Sequence, residues 1–336
     1  MPLPVRQETF TTSISGCTRR AFVMAALLPI LLLLGSASPC RAQGVIDTGI
    51  RAGLLARPDG RIAHIETAYN DIFITKRQRQ LVMSFQIKGW DYTESVIDLA
   101  DPEDLPLPYA QMMTVAIVYP PSPQKILMLG LGGGSISTYL ARFLPEAFIT
   151  TVEVDPGVIA AAKTYFGLRE SERMRFRAGD GRVFLSRNRE TYDLILVDAY
   201  RGGYVPFHLL TREFYSLVKE RLAEGGAAAF NVHDGSKLYA STLKTLRQVF
   251  PALDLYPTGV GEVIAVGSSS PLSQERRESS AASLQARYGF RYPLPQILLR
   301  RSDPPTPLPA GDIITDDFAP ADVYDVLGRE TRRRAP

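Results

Sequence analysis

The chain has 336 residues, 45% hydrophobic and 22% charged, a globular balance with room for one large domain or two ordinary ones. Of its 38 basic and 35 acidic residues, the first 42 positions hold four basic (Arg6, Arg19, Arg20, Arg41) and one acidic (Glu8), leaving 34 of each. The remainder is neutral overall, so net charge supplies no footprint for nucleic acid.

Taken in chain order, Thr18-Arg19-Arg20-Ala21-Phe22-Val23 sets a twin-arginine pair before an apolar run. The run, Ala21 to Leu34, is 14 residues long and contains Pro29, short of the roughly 18–20 residues that span a bilayer. Cys40-Arg41-Ala42 then offers small residues at the positions a signal peptidase reads. This is the layout of an export signal of the twin-arginine type over residues 1–42. Cleavage and a periplasmic destination are the expectation, a retained membrane anchor the alternative; Pro39 disfavours lipoprotein processing before Cys40. Cys17 and Cys40 leave with the leader, so the mature chain has no disulfide, thiolate ligand or cysteine nucleophile. Three histidines, His64, His208 and His233, are a poor basis for a structural zinc site, and no metal is expected.

Residues 43–108 read as a small antiparallel β domain. Its strands are Ile62–Thr67, Asp71–Thr75 and Arg79–Phe85, short and rich in branched and aromatic residues. Asp98–Pro108 is a Pro/Asp-rich link and Tyr109–Val118 a helix leading into a main domain, 109–270. There apolar strands at Ile126–Leu129, Phe148–Val152, Met174–Ala178, Leu194–Val197 and Ala227–Val232 alternate with helices at Ser135–Phe143, Pro156–Phe166, Arg182–Arg187, Arg212–Leu222 and Leu238–Phe250. Asp155 before Pro156 is a good helix N-cap, as is Thr211. Leu253–Tyr256 and Glu262–Val266 follow as strands with no helix between them. Alternation predicts an α/β fold, a parallel sheet with helices on both faces, and the last hairpin adds a terminal antiparallel strand. The C-terminal extension, 271–336, reads as surface loop over Pro271–Pro309 and ends in the solvated Arg332-Arg333-Arg334 tail.

Four segments fall where parallel strands should end, the side on which open α/β sheets bind ligands. Gly130, Gly132, Gly133 and Gly134 let the backbone leave its strand sharply and approach a ligand. Glu153 ends the next strand, about twenty residues on, where a carboxylate accepts from ribose hydroxyls; the alternative is a helix-capping acid shared with Asp155. Asp180, with Gly181, ends the third strand where an adenine amino group is expected; the alternative is an ordinary turn aspartate. Asp198 ends the fourth and is the candidate general base, with Tyr200 and Tyr204 as walls of a substrate pocket. No Lys-Ser or Lys-Thr follows the glycines, so nothing points to a triphosphate loop, and Ser135 departs from the dinucleotide fingerprint. His208 and His233 also lie near strand ends, where lone histidines are more often structural.

Over residues 62–266 the chain resembles the spermidine synthase family of aminopropyltransferases, class I methyltransferase-like (Rossmann-like) domains preceded by a small β domain. The matching segments are Glu66–Ile72, Leu129–Gly134, Val152–Asp155, Gly179-Asp180-Gly181, Tyr192–Asp198 and Leu210–Tyr215. Thr315-Asp316-Asp317-Phe318-Ala319-Pro320 is similar to an ending seen in divergent, often membrane-associated members. The resemblance implies decarboxylated S-adenosylmethionine as donor, a small-molecule amine as acceptor, Asp198 as base, and a homodimer through the β domain. The departures fall on the amine side. Ser135 stands where the family has an acid, Arg201 where a second aspartate follows the catalytic one, and Tyr109-Ala110-Gln111 where Tyr-His-Glu is usual, so Tyr109 alone of that trio is kept for the substrate pocket. Two missing acids at about 1.5–3 kcal/mol per charged hydrogen bond imply an acceptor other than putrescine. Two alternatives are an S-adenosylmethionine-dependent methyltransferase, with Arg201 meeting the methionine carboxylate, and a non-catalytic exported protein that binds a nucleoside or polyamine.

Overall fold

The computed structural model describes residues 44–318, apart from 88 and 309. The leader, both cysteines, Ala319-Pro320 and the arginine tail lie outside the described residues. Among the described residues no helix is long and apolar enough to cross a membrane.

The first element is a helix, α1 (Thr48–Leu55), where β structure is expected from the sequence. The Asp47 carboxylate caps it, accepting from the amides of Gly49 and Ile50 at 2.9 and 3.1 Å. An antiparallel sheet follows in simple order: β1 (Gly60–Glu66), β2 (Asp71–Arg77), β3 (Gln80–Ile87) and β4 (Trp90–Asp98). β4 goes unpredicted because its sequence, Trp-Asp-Tyr-Thr-Glu-Ser, is polar. It also carries a bulge: Met83 pairs with Ser95 and Ser84 with Thr93, leaving Glu94 without a cross-strand partner. Bulges of this kind bend a strand and re-aim a side chain.

After α2 (Pro108–Met113) and a 3-10 turn at Thr114–Val118, strand and helix alternate as predicted. The series is β5 (Lys125–Leu129), α3 (Ser135–Phe143), β6 (Phe148–Glu153), α4 (Pro156–Tyr165), β7 (Met174–Ala178), α5 (Gly181–Arg187) and β8 (Tyr192–Val197). It continues with α6 (Arg212–Glu220), β9 (Leu222–His233), α7 (Tyr239–Val249), β10 (Ala252–Pro257) and β11 (Glu262–Ser268). The seven-stranded sheet runs β10-β11-β9-β8-β5-β6-β7. β5 to β9 are parallel, while β11 is antiparallel to both β9 and β10. Strand order reverses at β5, with β8 on one side and β6 on the other, which opens the crevice where such sheets take ligands.

Both faces of this sheet are buried, and the two-residue period of the strands divides the core. Ile126, Met128, Leu194 and Leu196 join one apolar cluster, together with Ile72, Ile74, Leu81 and Met83 of the antiparallel sheet. Leu127, Leu129, Ile195 and Val197 join the other, with Phe214, Val218, Leu243 and Leu246 of α6 and α7. Beyond β11 the sequence reading is corrected. Residues 274–288 form the helix α8 (Gln274–Tyr288), and α9 (Leu294–Leu298) follows. Ser273 caps α8 by accepting from the Arg276 amide, and Gly289 ends it in the left-handed region (φ 62°). The polar composition of α8 hides its inward stripe, in which Ala281 is fully buried.

Candidate active site

Above the carboxyl ends of β5, β6 and β8 lies a cleft of about 660 Å³. Its floor is the parallel sheet, and its other wall is the antiparallel sheet with the turn that joins β1 to β2. At Gly130 (φ 99°) the chain leaves β5 against the backbone of Asp198, so closely that a Cβ there would collide with the Asp198 carbonyl oxygen. Only glycine fits that approach. Paired backbone bonds keep the two strand ends level: Gly130 N–H to the Val152 carbonyl (2.8 Å) and Asp198 N–H to the Leu129 carbonyl (2.9 Å).

Glu153 is buried at the end of β6. One carboxylate oxygen accepts from the Leu131 amide (2.9 Å) and the other from the Asp155 amide (3.0 Å). It therefore braces the glycine loop and the start of α4 while still facing the cleft. Burial raises its pKa, and the two amides oppose that rise. Asp180 has two partners. Oδ1 caps α5 by accepting from the Val183 amide (2.9 Å), and Oδ2 meets His208 Nε2 at 2.8 Å. The His208 contact holds its carboxyl below the usual range.

Asp198 follows β8 and faces the same cleft. Asn231 Nδ2 donates to its Oδ1 at 2.9 Å, and the Tyr109 hydroxyl donates to the same carboxylate. Burial outweighs these donors and raises its pKa to about 6, with Glu262 adding to the rise. The Tyr200 hydroxyl donates to the Asn231 carbonyl at 3.1 Å and helps to hold Asn231 in place. The cleft thus brings together Asp198, Gly130, Gly132, Glu153, Asp180, Gly181, Tyr109 and Tyr200.

Three predicted residues stand elsewhere. Gly133 and Gly134 are not among the cleft residues. They are small because the Phe166 ring and the Leu168 side chain press against them from behind. Tyr204 follows the Gly202-Gly203 turn, closed by the Arg201 amide donating to the Tyr204 carbonyl (2.9 Å). It lines a smaller, mostly apolar pocket beside Tyr215 and Phe230. Of the two histidines, both border the cleft, with His233 Nδ1 occupied by the Gly235 amide at 3.0 Å.

Sequence reasoning missed Asn231, Glu94, Asn70 and Glu262, all on the cleft wall. Asn231 had a readable signal: it lies near the end of β9, next to β8, by the same strand-end rule that picked out Asp198. Three buried side-chain oxygens in this wall have no hydrogen-bond partner: Asn70 Oδ1, Glu94 Oε1 and Asn231 Oδ1. Orphaned acceptors facing one cavity fit a ligand rich in N–H and O–H donors. Outside the cleft, His64, Glu66 and Asp71 converge on the first hairpin, where an exposed His64–Asp71 contact and stacking of His64 on Phe73 hold the group together.

Residues 108–272 match the family model described as the spermine/spermidine synthase domain. The polyamine aminopropyltransferase of Vibrio vulnificus (strain CMCP6) is 31% identical over 270 residues, covering 77% of this chain and 89% of that relative. The chain belongs to the spermine/spermidine synthase family. The fold agrees with solved members. A probable spermidine synthase from Corynebacterium glutamicum ATCC 13032 superposes with a TM-score of 0.58 at 22% identity, covering 67% of this chain and 86% of that one. A spermidine synthase in complex with the transition-state analogue AdoDATO gives 0.59 at 18% identity, covering 73% and 86%.

Proposed function

We propose that this chain transfers an aminopropyl group from decarboxylated S-adenosylmethionine to an amine other than putrescine, with Asp198 as general base. The observation that carries this reading is the environment of Asp198. Its carboxylate faces the cleft, is oriented by Asn231 and Tyr109, and has its pKa raised to about 6, so that it is ionised near neutrality yet basic enough to take a proton.

The cleft suits the donor. Its orphaned acceptors match a ligand bearing hydroxyls, an amino group and an ammonium. Glu153 and Asp180 would hold the ribose and adenine ends; Asp180 Oδ2 is engaged by His208, so His208 would have to yield or join that contact. When bound, the donor supplies a propyl carbon activated by a sulfonium. Asp198 takes the proton that the acceptor nitrogen sheds as its bond to that carbon forms and the carbon–sulfur bond breaks, with methylthioadenosine leaving. Tyr109 and Tyr200 wall the acceptor side and exclude water from it.

Arg201 weighs against the methyltransferase alternative. Its Nη2 donates to the Tyr69 carbonyl at 2.9 Å, tying the loop after β8 to the turn between β1 and β2. The same cation at the rim disfavours a second ammonium there, in keeping with an acceptor that is not an ordinary diamine. Export through the twin-arginine leader remains part of the proposal.

The test is formation of methylthioadenosine by the full chain from decarboxylated S-adenosylmethionine and a panel of mono- and polyamines. Turnover with at least one amine is expected, with Asp198→Asn lowering kcat by roughly 10²–10⁴-fold. No product with any amine, or an Asp198→Asn variant as fast as wild type, would sink the proposal.

A further inference from the structure

Glu94 is an acidic side chain of the cleft that the reading above leaves without a task, and its setting is unusual. It is the extra residue of the β4 bulge, so no cross-strand neighbour fixes it, and it lines the cleft. The Gly202 amide donates to its carboxylate. Its Oε1 is buried and has no partner. Burial first, and then the charges of Asp198 and Glu153 in the same cleft, push its carboxyl well above the usual range. Among the described residues no cation is bonded to Glu94, so its ionised form is unfavourable until a positive charge enters the cleft.

We propose that Glu94 holds the terminal ammonium of the donor's aminopropyl group and so selects the decarboxylated donor over S-adenosylmethionine. This rests on the aminopropyltransferase reading. Glu153 stands at the nucleoside end and Asp198 at the reacting end, and Glu94 interacts with both, which places it along the donor's tail. It does the work of the acid missing at Ser135, which lines the same cleft. The charge has moved from the glycine loop to the facing sheet. A methionine carboxylate in the same position would meet three like charges.

Calorimetric titration of the full chain tests this with decarboxylated S-adenosylmethionine, S-adenosylmethionine and methylthioadenosine, in wild type and Glu94→Gln. Wild type should prefer the decarboxylated form. Glu94→Gln should weaken that form by roughly ten- to a hundredfold, the loss of one charged hydrogen bond, and leave methylthioadenosine, which has no ammonium, unchanged. Unaltered binding of the decarboxylated form by Glu94→Gln would overturn the role of Glu94 alone. A parallel loss of methylthioadenosine would do the same, making the residue a wall of the pocket. Wild-type preference for S-adenosylmethionine would overturn it without any variant. Wild type that binds none of the three would remove the aminopropyltransferase reading as well.

Discussion

At Asp198, the proposed base, the balance between burial and two donated hydrogen bonds sets the pH range in which it would act. A base must be unprotonated to act, and burial raises this carboxyl from 3.8 to about 6. The active form therefore dominates above pH 6 and is lost as pH falls through it. We expect kcat/KM to decline about tenfold per unit below pH 6, and a profile flat down to pH 5 would show that Asp198 is not the group being titrated. Glu94, Glu262 and the Tyr109 hydroxyl face the same cleft. A bound ammonium favours the carboxylate, so the limb in kcat should lie at lower pH than the limb in kcat/KM. The residue itself was legible from sequence because it ends an apolar strand at a predictable place. Its orientation by Asn231 and Tyr109 was not, since those contacts join segments 33 and 89 positions away.

Among the elements, α4 shows how one side chain connects the two sheets. Asp155 is fully buried. Its Oδ1 accepts from the Gly157 amide (2.8 Å), the capping role expected from the Asp-Pro pair. Its Oδ2 accepts from the Thr67 hydroxyl (2.7 Å) and from Asn70 Nδ2 (2.9 Å) in the turn between β1 and β2. Asp155→Ala removes a cap and strands two donors, so urea unfolding should show a loss of about 2–4 kcal/mol; a loss below 1 kcal/mol would mean that water replaces the carboxylate. Legibility followed local physics. The buried parallel strands declare themselves by continuous apolar runs, and their ends border the cleft. β4 and α8 went unread because both are polar along most of their length, and a bulge is invisible to a two-residue period. The amine half of the proposed site sits on that bulge.

For the whole molecule, the leader and the two sheets raise separate questions. If residues 1–42 route the folded chain outward, a tagged chain should appear in the periplasmic fraction, shortened by the leader. Changing Arg19 and Arg20 together to Lys should keep it at full length in the cytoplasm. A chain whose distribution ignores those two residues would end the twin-arginine proposal. In the proposed function the sheets divide the ligand between them, one facing its nucleoside and the other its charged tail. The contact at Gly130 gives this architecture a direction of decay. A side chain at position 130 would displace the backbone of Asp198, so damage to the nucleoside loop takes the base with it. Asp198 can change its side chain and leave the loop untouched. Loss at position 130 would therefore cost the loop and Asp198 together, whereas loss at Asp198 would leave the loop in place.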